Sequence, residues 1–232
     1  VMFETMKNEP GKLVTLKEYV SAMPTEQKDI YFITGESRSL LENSPHLELL
    51  RSRGFDVLFM TDPIDEWVMQ ALNEYDGKKF APVGKGDIDL DEASAKQVEE
   101  KNKQAEKEHK SLLEFLQKQL DTKVKEVRFS RRLTESACCL VGDTYDPGAH
   151  MERLFKAMNQ EMPKSKRILE LNAAHPLIAA MQQLYDRDAK AGQLADYAEM
   201  IYDQAVLTEG GMVADPLKFA KRISDLMVAA MK

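Results

Sequence analysis

The stretch VLFMTDPIDEWVMQAL at 57–72 sets Asp62, Asp65 and Glu66 just ahead of Trp67, the single tryptophan of the chain. Carboxylates at such spacing could act as a general acid–base pair if burial or a neighbour kept one of them protonated. The sequence places no Lys, His or Cys to meet them. A simpler account is positional: 57–60 reads as a buried strand, 64–72 as a helix, and the acids fall where the two join. Asp62, before Pro63, can cap that helix, while Asp65 and Glu66 occupy its first turn, where the helix dipole favours negative charge. Composition alone makes Trp67 a core residue, and a half-exposed aromatic at a domain junction is the alternative.

Other reactive residue types are sparse. Cys138 and Cys139 are adjacent in ACCLV and read as small hydrophobes on opposite faces of a strand, since no neighbour would lower a thiol pKa. His46, His109, His150 and His175 are scattered, so no helix carries two at ligand spacing and no metal site is expected. ITGES, after the strand-like IYFIT (30–34), stands where a dinucleotide-binding turn would lie, but Gly35 lacks the companion glycines that let a backbone approach pyrophosphate. A small α/β nucleotide-binding module using that crevice is the competing reading. One helix, 147–160, opened by Asp146 and Pro147, carries Met151, Leu154, Phe155 and Met158 at three- and four-residue spacing, with Tyr145 just ahead. Such stripes usually face a core, yet flexible thioethers also suit surfaces that repack against varied partners.

These residues need elements to hold them. A chain of 232 residues, 43% hydrophobic, can form two modest domains. Its first part alternates: helix at 16–23, strand at 30–34, helix at 44–54 with Ser44 as N-cap and Pro45 behind it, strand at 55–60, then the helix from Ile64. This order predicts a parallel strand pair in a small α/β/α layer over residues 1–84. Mixed charges at 85–110 predict a solvated spacer helix, supported by pairs such as Glu99 with Lys103 and Glu106 with Lys110. Residues 111–232 read as an α+β domain: a helix at 111–120, strands at VKEVRFS and ACCLVG joined by RRLTES, the 147–160 helix, a third strand ILELN, and three helices in series. The expected class is α+β overall, ending in a helical hairpin. A net charge of −7 with no basic stripe argues against nucleic acid, and no run reaches transmembrane length.

The motifs together resemble the heat-shock protein 90 chaperones, in their bacterial branch. DIYFITGES (29–37), SPHLELLRSRGFDVLFMTDPIDEW (44–67), LNEYDGKKF (72–80), RLTESACCLV (132–141), LELNAAHPL (169–177) and DQAVLTEGGMVADPLKFAKRI (203–223) carry the resemblance across nearly the whole chain. It implies that 1–84 is the end of a middle domain and 111–232 a carboxy-terminal dimerisation domain. ATP and magnesium would belong to an amino-terminal domain of the parent, so no ATPase activity or cofactor is expected of this chain. The first residues read as mid-helix, suggesting an excised piece. The resemblance assigns Trp67 and the helix bearing Tyr145, Met151, Leu154, Phe155 and Met158 to the holding of unfolded client proteins. It implies a cytosolic protein. The carboxyl end, VAAMK, lacks the acidic tail that tetratricopeptide co-chaperones read.

At the tail, Leu217, Ala220, Ile223, Met227 and Ala230 recur at helical spacing after Asp215 and Pro216, leaving Leu226 and Met231 also to be covered. A single hairpin with the 194–208 helix, which offers Ile201 and Ala205, cannot bury them all. A second copy can, as a four-helix bundle about a two-fold axis, which is the arrangement the resemblance also implies.

Overall fold

The computed structural model describes residues 2–88, 92–143, 146, 148–160 and 165–231. The first unit runs β1 (Met2–Thr5), β2 (Val14–Thr15), α1 (Leu16–Ala22), β3 (Ile30–Thr34), α2 (Arg38–Leu41), a 3-10 turn at Pro45–Leu47 leading into α3 (Glu48–Ser52), β4 (Val57–Met60), α4 (Asp65–Ala71), β5 (Glu74–Tyr75) and β6 (Lys78–Pro82). Its sheet has the order β2-β1-β4-β3-β6-β5, with β4, β3 and β6 mutually parallel at the centre. The expected parallel pair is there, in the register Tyr31 to Val57 and Ile33 to Phe59. The period-2 pleat explains why both strands are apolar throughout. Tyr31, Ile33, Val57 and Phe59 bury against Leu47 and Leu50 on one face, and Ile30, Phe32, Leu58 and Met60 against Phe3 and Tyr19 on the other.

Several expectations need correction here. The first residues are not helical: β1 pairs antiparallel with β4 through Glu4 to Phe59. A hairpin that the sequence reading passed over, β5 to β6, turns on Asp76 and Gly77, both at positive φ (51° and 72°), the conformation that Asp-Gly supplies most cheaply. Ser44 does cap its turn, accepting from the His46 N–H, and Gly54 ends α3 at φ 66°.

The second unit runs α5 (Glu92–Glu108), α6 (Lys110–Gln119), β7 (Val124–Phe129), β8 (Cys138–Val141), α7 (Ala149–Ala157), β9 (Arg167–Leu171), α8 (Pro176–Arg187), α9 (Gly192–Thr208) and α10 (Pro216–Ala230). Its three strands are ordered β7-β9-β8, so RRLTES does not join neighbours: β9 inserts between them, parallel to β7 and antiparallel to β8. Leu112, Leu116, Phe129, Cys138, Leu169, Leu171, Ile178 and Ala198 form the main core, while Cys139, Val141 and Ile168 bury on the opposite face. The two cysteines thus lie back to back as expected, free and buried, and burial pushes the Cys138 thiol up to about 12. Both units combine sheet and helix, and the class is α+β.

Helix α5 is more than a solvated spacer. Glu99 pairs with Lys103 at 2.5 Å as expected, but Lys110 reaches Glu114 (3.9 Å). Along the other face, Ala95 and Val98 pack on the first core, Ala105 is buried in the second, and Asn102 Nδ2 donates to the carbonyls of Phe129 and Ser130. Charged groups complete the join. Arg132, 1% exposed in its side chain, bonds Glu170 at 3.0 Å and donates to the carbonyls of Val83 and Gly86. Glu48 of α3 accepts the N–H groups of Thr134, Glu135 and Ser136 at 2.6, 2.8 and 3.0 Å.

Candidate functional site

A cleft of about 710 Å³ opens between the units, walled by the carboxyl end of β3, by α4 and by α7. Trp67 stands in its wall, 38% exposed, with its ring centroid 6.4 Å from that of Phe155 on α7. Ile64 and Val68 beside it are also exposed, so α4 presents an apolar edge. The tryptophan is therefore a junction residue and not a core one.

The acids at the strand–helix join behave differently from the capping account. The helix starts after Ile64 with no side-chain cap. Asp62 is not the donor's acceptor: its own N–H donates to Asp65 Oδ2 at 3.1 Å. Asp65 and Glu66 are buried in the first turn. Burial pushes the Asp65 carboxyl up, the Asp62 N–H pulls it down, and the charges of Asp62 and Glu66 push it up again. His150 of α7 is driven down by burial, against the attraction of Glu66. Oε1 of Glu66 and both ring nitrogens of His150 have no hydrogen-bond partner. The cleft wall thus sets an aromatic pair, Trp67 and Phe155, beside buried and unpartnered polar atoms.

Helix α7 begins after Gly148, with no side-chain cap from Asp146, and Pro147 lies outside the described residues. Its stripe divides: Met151 is buried at 3% exposure, Leu154 and Phe155 are half-buried, and Met158 is 55% exposed. Met151 lines the cleft but is almost wholly covered in the single chain, unlike the partly exposed residue the stripe predicts. Tyr145 lies outside the described residues. Arg153 ties the helix to the opposite wall, bonding Glu36 at 2.7 Å and the carbonyl of Glu209 at 3.2 Å.

The crevice after IYFIT opens into this same cleft, and at its edge a Cβ on Gly35 would lie 2.5 Å from Leu41 Cδ2, so this glycine lets a leucine approach. Among the described residues no group of three His, Cys, Asp or Glu could hold a metal ion.

The tail helix gives the second surface. Leu217 (86%), Met227 (56%) and Met231 (75%) are exposed, with Ala220 and Ala230 also open and Ile223 and Leu226 just over a third exposed. Ile223 and Leu226 line an apolar groove of about 640 Å³ with Phe219, Leu177, Tyr197 and Met200. Ile201 also lines this groove, yet at 2% exposure it sits, like Ala205 at 0%, in the chain's own core, where the Ile201 carbonyl accepts from Cys138 Sγ. The sequence placed them on the right helix but the inward face. It also passed over Arg222, which pins α10 to α9 through Asp196 (2.8 Å) with Asp203 at 3.8 Å. An arginine inside an otherwise apolar period was the available signal.

The family model described as Hsp90 protein matches residues 1–232. The chain belongs to the Hsp90 family. Among the curated relatives, this Hsp90-family chain is 52% identical over 230 residues to the protein named Chaperone protein HtpG from Geobacter metallireducens, covering 99% of the chain and 35% of that relative. The HtpG of Geobacter sulfurreducens is equally similar, with the same coverage, and that of Frankia casuarinae is 43% identical over 94% of the chain and 34% of its own length. The chain thus spans about a third of the length of the curated relatives it matches. No helix among the described residues is long and apolar enough to cross a membrane.

Proposed function

We propose that this Hsp90-family chain is the client-holding and dimerising part of an ATP-dependent cytoplasmic chaperone. Unfolded polypeptide engages the cleft edge formed by Trp67, Leu154, Phe155 and Met158, and two copies associate through α10. The nucleotide, ATP with magnesium, is bound and hydrolysed by another part of the parent, and this chain contributes no catalysis of its own. Nucleic acid, membrane and tetratricopeptide partners have no place in this reading. The observation that carries it is the exposure of Trp67 and its neighbours Ile64 and Val68 at the mouth of a cleft, since a monomeric chain gains nothing from leaving its one tryptophan partly in water. The test is titration of an unfolded, fluorescently labelled client protein into the chain and into Trp67→Ala. Affinity falls by about tenfold, as for loss of an aromatic anchor, while the melting temperature moves little. Unchanged affinity removes Trp67 from the client surface.

A further inference from the structure

The two walls of the cleft are carried by different units, so something must fix their spacing. One strand does most of this. At its leading end, the loop entering β8 is gripped by Glu48, whose carboxylate takes the N–H groups of Thr134, Glu135 and Ser136. At its trailing end, Gly142 exchanges backbone bonds with the first unit, donating to Gly84 O at 3.1 Å and accepting from Gly86 N at 2.9 Å. Beyond Gly142 the chain leads to α7, which faces the first unit through Arg153 to Glu36 and Phe155 to Trp67. Arg132, donating to the carbonyls of Val83 and Gly86, and α5, with Ala95 and Val98 on the first core, hold the units together elsewhere, so the grip on the loop entering β8 acts on the side of the join nearest α3.

We infer that Glu48 is the positioning residue of the cleft: its carboxylate pins the entry of β8 to α3 and so holds α7, with Phe155, at its distance from Trp67. The geometry is specific to a carboxylate. Oε2 accepts two amides and Oε1 the third, so a glutamine at this position would turn its own NH₂ toward at least one N–H donor. Among the described residues no backbone acceptor takes these three amides, so Glu48 is what protects them from solvent exchange. The inference borrows from the proposed function only the importance of the cleft, and its test uses no client, so a failure of Trp67 to bind client leaves it standing.

The experiment is hydrogen exchange and Trp67 fluorescence on the chain and on Glu48→Gln. The amides of 134–136 exchange about ten- to a hundredfold faster in the variant, in line with loss of charge-assisted bonds. Trp67 emission moves to the red as Phe155 withdraws, while amides in β3 and β4 keep their protection. If protection in β3 and β4 is lost as well, Glu48→Asp, which keeps the charge and shortens the reach, is read the same way. Unchanged exchange at 134–136 overturns the inference, and so does faster exchange there with Trp67 emission unmoved.

Discussion

Met151 and Trp67 line the same cleft, Met151 covered at 3% exposure and Trp67 open at 38%. The resemblance names both as contact residues, and for Met151 the spacing names a stripe on α7 without saying which edge of it meets the chain's own interior. Met151→Ala is expected to cost about 2–5 kcal/mol in urea unfolding, the range for emptying a filled core site. Trp67→Ala costs clearly less than the ~3–5 kcal/mol of a fully buried tryptophan. Glu170 and Arg132 were invisible to sequence reading, since each lies in a strand or loop with no charged neighbour at a telling spacing. Both are 1% exposed, and Glu170 also takes Ser130 Oγ at 2.7 Å and Arg128 at 2.7 Å. Burial pushes the Glu170 carboxyl up, but Arg132, Ser130 and Arg128 together hold it below the usual range. A carboxyl lowered in the folded state adds stability that is whole above its unfolded pKa of about 4.3 and is lost as pH falls through the folded value. Glu170→Gln therefore flattens the acid limb of the stability curve below about pH 4.3, measured as urea midpoint against pH.

The helices and the central strands are legible from residue type alone, and their neighbours in space are not. IYFIT and VLFM are apolar on both faces because each lies between two cores, and the Ser44, Pro45 and Gly54 signals bracket their helix as expected. Helix α5 deceived because its inward stripe, Ala95, Val98, Asn102 and Ala105, is built from small and polar residues that register weakly against seventeen residues of mixed charge. Strand order is a tertiary property, so nothing in RRLTES announces that a later strand will part β7 from β8. For α10 the apolar stripe was readable, and the single chain leaves it exposed, where the proposed dimer would cover it. Removing 212–232 should turn a micromolar dimer into a monomer in sedimentation. Ile223→Asp should do the same, because it sets a carboxylate in the groove beside Phe219 and Leu226 on each copy. A native chain that sediments as a monomer at every concentration tested would refute the dimer.

Across the whole molecule, α5, Arg132 and Glu48 tie the two sheets together. Calorimetry of the chain is expected to give a single transition, and Arg132→Met to lower it by about 3–5 kcal/mol, since Glu170 would stay buried with its main partner gone. Two well-separated transitions in the native chain would mean that the join is weak. The position of β9 carries one more consequence, and it concerns the order in which the molecule is made. The middle strand of the small sheet is the last of its three to leave the ribosome, so β7 and β8 must wait without their shared neighbour until Leu171 has emerged. Cys138 is covered later still, by α9, whose Ile201 carbonyl its thiol meets, so alkylating reagent should modify both thiols in nascent chains halted before Arg167 and spare them in the folded chain.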